Sequence, residues 1–170
     1  MTLLTPPSDH SSEGSSRILS LNPLLAWTGV PPLYYNVTRD VECIQLQPGC
    51  PPNLLYAPAV QPACTHLVLS LPSLPLWSTI EVRNSRGVTA RDVLVRIREV
   101  LDRSVSATEM AMVSNFAASA SEYLRVRTRA DPREFAQGVK RIDFLGPNVF
   151  FAGLSRCMDD RWEVCFVQRV

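Results

Sequence analysis

The clearest pattern of hydrophobic and polar positions lies in the second half of the chain. Apolar residues recur there at spacings of three and four, directly after Thr89-Ala-Arg-Asp92. That tetrapeptide is typical of a capping box, with a hydroxyl at the N-cap and a carboxylate at N3. We therefore predict a helix with one apolar stripe facing the core. The residues of the stripe are Val93, Leu94, Ile97, Val100 and Leu101.

A second capping box, Ser106-Ala-Thr-Glu109, predicts a longer helix that runs to about Arg127. The small side chains on its apolar side indicate close approach to a neighbouring backbone. Asp131-Pro132 begins a further short helix, which Gly138 ends. The predicted buried side of the longer helix comprises Met110, Val113, Ala117, Ala120 and Leu124.

Five short apolar runs bounded by turn residues predict β-strands. Two precede the helices and three follow them, so the order is strand, strand, helix, helix and a strand meander. This order predicts an α+β fold in two layers, with the two main helices on one face of a mostly antiparallel sheet. The predicted strands are His66–Leu71, Thr79–Arg83, Val139–Leu145, Val149–Leu154 and Trp162–Gln168.

The first part of the chain has a different composition. Twelve of the fourteen prolines fall within the first 75 residues, which disfavours long helices and central strands there. Residues 1–17 are rich in serine and proline and are predicted to be a disordered tail, whereas residues 18–170 are predicted to form a single α+β domain. Within that domain we expect an edge strand at Leu33–Val37 and an ordered, proline-rich wrap over residues 43–63.

Seventeen basic and sixteen acidic residues leave a formal net charge of +1, which gives no long-range field to attract nucleic acid or anionic lipid. One basic concentration could contact phosphates, but its i,i+2 spacing scatters the side chains around a helix, so nucleic acid is not the favoured partner. No apolar run is long enough for a membrane span, and no signal-peptide pattern is present, so we expect an intracellular, cytoplasmic protein. The basic residues are Arg125, Arg127, Arg129, Arg133, Lys140 and Arg141.

The five cysteines lack CxxC spacing and are expected to be small buried hydrophobes in a reducing compartment. Cys64 and His66 would share one face of an extended segment, where a thiolate beside an imidazolium would be reactive. The alternative is a histidine at the rim and a buried thiol. Adding Cys157 and Cys165 gives none of the usual zinc-ligand spacings, and glycine-rich phosphate motifs are absent, so we predict no metal and no cofactor.

Arg141 and Asp143 share one face of the predicted strand 139–145. If a helix covers that face, both charges are buried, and pairing with each other would offset the cost. They would then either fix the strand register or line a polar pocket in which Tyr123 is a third anchor. Aromatic residues likewise allow two interpretations, the core or the floor of a binding groove; they include Trp27, Tyr35 and Trp77.

Several segments, in order along residues 19–168, form a recognisable set. They are Leu21-Asn-Pro-Leu-Leu25, Pro32-Leu-Tyr-Tyr-Asn-Val37, Ile80-Glu-Val82, Gly87-Val-Thr-Ala-Arg-Asp-Val-Leu94, Gly138-Val-Lys-Arg-Ile-Asp-Phe-Leu-Gly146, Phe151-Ala-Gly-Leu154 and Trp162-Glu-Val164. Together they resemble a family of small basidiomycete fungal proteins built on a domain of unknown function. The chain departs from that family at Asn22, where a histidine is usual, and at Asn36, where an aspartate is usual. The resemblance implies a fungal source and one compact domain, and it carries no catalytic residue to this chain.

Two functional hypotheses follow, and they leave open whether the protein is an enzyme. The leading one is a non-enzymatic protein-interaction module, whose aromatic, proline-rich flank or arginine-rich helix end binds another protein. The alternative is a small-molecule-binding protein or enzyme with a pocket between the sheet and the N-terminal loop. A cavity on which Arg141 and Asp143 converge would favour the alternative, whereas a filled core would favour the module.

Overall fold

The computed structural model describes residues 19–157 and 161–168, so the predicted tail, residues 1–17, lies outside the described residues. The strands, in chain order, are β1 (Ser20–Leu21), β2 (Leu33–Tyr34), β3 (Gln45–Leu46), β4 (Val60–Gln61), β5 (His66–Ser70), β6 (Thr79–Arg83), β7 (Phe150–Arg156) and β8 (Trp162–Val167). The α-helices are α1 (Ala90–Leu101), α2 (Ala107–Met112), α3 (Ser114–Arg127) and α4 (Pro132–Phe135).

The largest sheet has four strands in the order β6-β5-β8-β7. The outer pairs, β5 with β6 and β7 with β8, are antiparallel, whereas the central pair, β5 with β8, is parallel. Alternate residues of β5 and β6 are buried, as expected for strands with one covered face. The four predicted strands that form this sheet are confirmed; the bounds of β6 are as predicted, and the ends of the other three differ by at most two residues.

The first predicted helix is confirmed as α1. Its capping box is complete, because the Thr89 hydroxyl accepts the Asp92 N–H and the Asp92 carboxylate accepts the Thr89 N–H. Every residue of the predicted stripe is buried, and the helix packs against β6. The α+β fold class is thereby confirmed.

The second predicted helix is two helices. The Ser106–Glu109 capping box begins α2 as predicted, but the backbone leaves helical geometry at Val113 (ψ +30°), and α3 starts at the next residue. A β-branched residue is a weak helix former, which favours the break at this position. Of the five residues predicted to be buried, Ala120 and Leu124 are buried and the others are half-buried.

The predicted strand 139–145 is wrong. Residues Arg141–Leu145 form a 3-10 helix against which α3 packs, and the Asp143 carboxylate caps it by accepting the Lys140 N–H at 2.9 Å. Ile142, Asp143 and Leu145 are buried, a spacing that fits about three residues per turn rather than the two of a strand. As a consequence, the chain after α4 forms one hairpin of β7 and β8 rather than a three-stranded meander.

The proline-rich first part wraps the sheet in short elements. The predicted strand at Leu33–Val37 is regular only in β2, which pairs with β3. Tyr35 bonds to Phe151 in β7, and Val37 bonds to Val149 just before that strand. The segment 43–63 contains β3, β4 and one 3-10 turn at Pro52–Leu55. Its apolar residues join those of the sheet and α1 in one core cluster that extends from Leu24 to Val164.

Candidate functional site

An open groove of about 1010 Å³ lies between residues 27–45, here called the N-terminal wrap, and strands β7 and β8. The wrap is attached to β7 at two points, where the Trp27 N–H donates to the Leu154 carbonyl (3.0 Å) and the Phe151 N–H donates to the Tyr35 carbonyl (2.9 Å). Between these points residues 28–34 leave the strand edge, and the gap is the groove. Its lining residues are Trp27, Thr28, Gly29, Pro31, Leu33, Tyr34, Tyr35, Asn36, Arg39, Cys43, Gln45, Phe150, Phe151, Ala152, Val167 and Gln168.

Gly153 fixes one rim of the groove. Its φ of +132° is a conformation that other residues rarely adopt, and it lies beside the irregular pairing between β7 and β8. A Cβ at this position would lie 2.6 Å from the Trp27 backbone nitrogen. Only glycine therefore lets the chain at Ala26 and Trp27 approach β7 closely enough to bond to it.

Aromatic side chains form much of the groove surface. Trp27 and Tyr34 are 48% and 54% exposed, although large apolar side chains are usually covered. Tyr35 and Phe151 are buried beneath them, and Phe150 is half-buried. The Tyr35 hydroxyl donates to the Arg39 carbonyl at 3.3 Å, and burial raises the pKa of Tyr35, so this phenol stays protonated. The groove thus has a fixed aromatic floor and two aromatic rings open to solvent.

The polar groups of the groove have few partners within the described residues. Arg39 is the only charged side chain among the described lining residues, and its guanidinium forms no ion pair or hydrogen bond with the described chain. The amides of Gln45 and Gln168 also lack side-chain bonds there. The Asn36 oxygen accepts the Thr38 N–H and hydroxyl at 2.9 and 2.8 Å, which leaves its NH₂ as a donor. The two glutamine amides supply both donors and acceptors, whereas the Asn36 NH₂ and the Arg39 guanidinium only donate, so the free side-chain groups of the groove include more donors than acceptors.

Two of the predicted site residues, Trp77 and Arg141, meet in a packed cluster outside the groove. The Trp77 indole N–H donates to Glu109 Oε1 at 2.8 Å, and Arg141 Nη2 donates to the same oxygen at 3.2 Å. The Arg141 guanidinium lies 5.1 Å from the Trp77 ring centroid, in cation–π contact. The Ser106 N–H, together with the indole, lowers the pKa of Glu109 to about 2. The cluster joins α2 to the two 3-10 segments that carry Trp77 and Arg141.

Asp143 belongs to a separate buried network, so the predicted Arg141–Asp143 pair is wrong. Arg127 holds Asp143 with two bonds, Nε to Oδ1 at 2.7 Å and Nη2 to Oδ2 at 3.0 Å, and reaches Glu134 Oε1 at 2.6 Å. Lys140 is also buried and bonds to Asp102 at 2.7 Å. Three residues of the predicted basic concentration, Arg127, Lys140 and Arg141, are therefore engaged in ion pairs within the fold.

Two features of the sequence indicate parts of this network. Lys140 is the only lysine of the chain and stands three residues before Asp143, the spacing of a capping interaction. Arg127 is in the last turn of α3, and the next acidic residues of the chain, Asp131 and Glu134, follow within seven positions. Which carboxylate pairs with which cation depends on the path of the chain between them.

The remaining predicted site residues do not line the groove. Tyr123 packs on Gly146, where a Cβ would lie 3.3 Å from its ring. The His66 imidazole is 3.5 Å from Glu81 Oε2 on the neighbouring strand, and no hydrogen bond joins it to the Cys64 thiol in the described chain. Over residues 19–157 and 161–168, no three histidine, cysteine or acidic side chains are grouped as metal ligands.

Comparison with known proteins gives a family without an activity. The model of a family of unknown function, DUF6699, matches residues 33–162. No curated protein and no solved structure matches the chain significantly. Each helix within the part of the chain that the structure describes is too short or too polar to cross a membrane.

Proposed function

The chain belongs to DUF6699, a family of unknown function, and we propose from its geometry that it is a non-enzymatic protein-interaction module. A segment of another protein binds in the groove between the N-terminal wrap and strands β7 and β8. The observation that carries this proposal is the pair of half-exposed rings, Trp27 and Tyr34, above a rigid aromatic floor. Aromatic side chains of this kind contribute most of the binding free energy in many protein interfaces.

The distribution of ionisable groups supports binding rather than acid–base catalysis. General acids and bases need titratable groups within hydrogen-bond reach of a vacant substrate site. Arg127 instead bonds to Asp143, and Arg141 bonds to Glu109, inside the packed fold. The described groove lining offers one cation, amides, a thiol and phenols, which suit recognition of a polypeptide surface.

Selection from a displayed library of random dodecapeptides tests the proposal. The wild-type protein should enrich a set of peptides, and the Trp27→Ala/Tyr34→Ala variant should fail to enrich or retain them. The matched control is Met112→Ala/Phe116→Ala, which removes two exposed apolar side chains from α2 and α3 and should retain the same peptides. Enrichment of nothing by the wild type, or equal retention by the groove variant, would refute the proposal.

A small-molecule-binding protein or enzyme is the second candidate. The observation that favours it is the size of the groove, about 1010 Å³, which is at the upper end of the range for small-ligand sites. The Cys43 thiol in the lining would supply a nucleophile. Native mass spectrometry of the protein purified from its host should detect a retained small molecule if this candidate is correct, and only the bare chain or a protein complex if the interaction module is correct.

We also propose a basidiomycete fungal source and an intracellular, cytoplasmic location. The first is supported by the resemblance of the segments between Leu21 and Val164 to fungal proteins. The second is supported by the five cysteines, all of which are free thiols, as expected in a reducing compartment. Their predicted burial is wrong, since Cys43 is exposed and the other four are half-buried. Fractionation of a cell that expresses the tagged full chain would place it in the cytosolic fraction, and recovery from the medium would contradict the second proposal.

A further inference from the structure

We propose that the segment bound in the groove is an extended, proline-containing peptide with an aspartate or glutamate that pairs with Arg39. The inference rests on the proposed function and specifies the chemistry of the partner at the same site. It follows from three properties of the described lining: open aromatic faces, an excess of hydrogen-bond donors, and one unpaired cation.

The aromatic faces favour proline. Trp27 and Tyr34 line an open groove and are each about half exposed, so they offer ring surface to a ligand. Proline-rich segments in the polyproline II conformation dock on such surfaces, because the peptide is already extended and loses little conformational entropy on binding. Pro31, which is half-buried, adds apolar surface to the same lining.

The excess of hydrogen-bond donors among the groove side chains also favours a proline-containing peptide. The Asn36 oxygen is occupied by Thr38, so only its NH₂ faces a ligand as a free group, and the Arg39 guanidinium can only donate. A polyproline II chain has no internal hydrogen bonds, and each proline contributes a carbonyl acceptor without an N–H donor. A site that supplies donors thus complements a peptide that supplies mainly acceptors.

The positive charge of Arg39 favours an acidic residue in the bound peptide. Its backbone is held in place, because its carbonyl accepts bonds from the Tyr35 hydroxyl and from Arg98 Nε at 3.2 Å, whereas its guanidinium is exposed and unpaired in the described chain. The acids that follow it are already engaged: Asp40 caps the next 3-10 turn, and Glu42 pairs with Arg91. A carboxylate on the ligand would pair with a cation that the protein leaves free.

The selection experiment described above also tests this inference when its peptides are sequenced. Peptides retained by the wild type, and lost by Trp27→Ala/Tyr34→Ala, should be enriched in proline and in aspartate or glutamate relative to the unselected library. An Arg39→Glu protein should instead enrich proline with lysine or arginine. Reversal of the charge preference cannot result from misfolding, which would abolish selection altogether.

Synthetic peptides from the enriched set measure how much the acidic residue contributes to affinity. Replacing the acidic residue by its amide should weaken binding to the wild type about threefold to fivefold in fluorescence anisotropy, as expected for an exposed ion pair. Arg39→Gln should weaken binding of the acidic peptide by a similar factor and leave binding of the amide peptide unchanged. The control is Arg86→Glu, an exposed arginine in the turn before α1, which should change neither affinity.

The outcomes separate the two proposals. Groove-dependent peptides without proline or acidic enrichment, or an unchanged preference with Arg39→Glu, would overturn this inference and leave the interaction module standing. Failure of the wild type to enrich any peptide would overturn both.

Discussion

The two polar regions of this molecule use similar side chains in opposite ways. Around α2, α3 and the 3-10 helix Arg141–Leu145, the charged groups described here are bonded to partners within the fold, as Asp143 is to Arg127 and the Lys140 backbone. In the groove, Arg39 has no such partner among the described residues, and the aromatic rings beside it are half-exposed. The first region is assembled for stability, and the second is open to a ligand.

The difference shows how a charged side chain that stabilises the fold can be told apart from one that is available to a ligand. Buried polar groups in folded proteins are nearly always hydrogen-bonded, so the bonds that join Asp143 to Arg127 and Lys140 need no ligand to explain them. In the neighbouring cluster, Arg141 Nη2 bonds to Glu109, whereas Arg141 Nε is buried without a hydrogen-bond partner in the described chain. An exposed aromatic surface with an unpaired cation at its rim has no comparable structural explanation. The predictions below test this division by changing one region at a time.

The largest effect is expected at Asp143. Its side chain is 1% exposed and neutralises Arg127, whose side chain is 9% exposed, so Asp143→Ala leaves a buried charge without its main partner. We expect the free energy of unfolding to fall by about 3–5 kcal/mol, measured by urea denaturation. Asp143→Asn, which keeps an acceptor for the Lys140 N–H, should cost less. A loss below about 1 kcal/mol for Asp143→Ala would contradict a structural role for this network.

Gly153→Ala should have the next largest effect. The added Cβ would meet the Trp27 backbone at 2.6 Å in a conformation that already disfavours alanine, so the wrap must move away from β7. We expect a loss of about 1–3 kcal/mol in the free energy of unfolding, together with weaker peptide binding as the groove rim shifts. Gly29→Ala is the matched control, since nothing lies within 4 Å of its Cβ position, and it should change stability little. Equal losses for the two variants would exclude the close approach at Gly153 as the cause.

The elements of the fold could be predicted where local sequence and packing favour the same structure. The capping box at Thr89 and the stripe after it specify α1 from residues that are neighbours in sequence. The segment Arg141–Leu145 differs, because its alternating polar and apolar residues fit a strand as well as a 3-10 helix. The contact that decides between them, Asp143 with Arg127, joins residues 16 positions apart and depends on the path of α3 and α4.

The groove could be predicted only in part. One hypothesis from the sequence was a pocket between the sheet and the N-terminal loop, with Trp27 and Tyr35 as candidate lining residues. The sequence could not indicate that strands β7 and β8 supply the other wall. Arg39 was not identified, since a single arginine in a polar loop has no distinguishing local pattern. Its importance comes from the absence of a partner among the described residues, which is a property of the folded chain alone.

A smaller effect, which is lost in acid, is expected from Glu109. Its pKa is about 2 in the folded protein against 4.5 for an unperturbed glutamate, because the Ser106 N–H and the Trp77 indole bond to the carboxylate. A lowered pKa stabilises the fold above the ordinary value, and this contribution is lost as the pH falls from about 4.5 towards 2. In urea denaturation, the stability difference between the wild type and Glu109→Gln should therefore shrink over this interval. A difference independent of pH would mean that the carboxylate charge has no role in the cluster.

The smallest effect on stability is expected from Arg39→Gln, and it is the most informative for the comparison between the two regions. The groove arginine bonds to the described fold through its carbonyl, which glutamine retains, so the free energy of unfolding should change by no more than about 0.5 kcal/mol. Arg141→Gln is the matched variant in the bonded region. It removes a cation from Trp77 and Glu109, and should cost about 1 kcal/mol or more in the same urea measurement. Peptide affinity should change in the reverse order, falling for Arg39→Gln and not for Arg141→Gln. If Arg39→Gln destabilised the fold as much as Arg141→Gln, the groove arginine would be part of the scaffold, and its free guanidinium would no longer indicate a ligand.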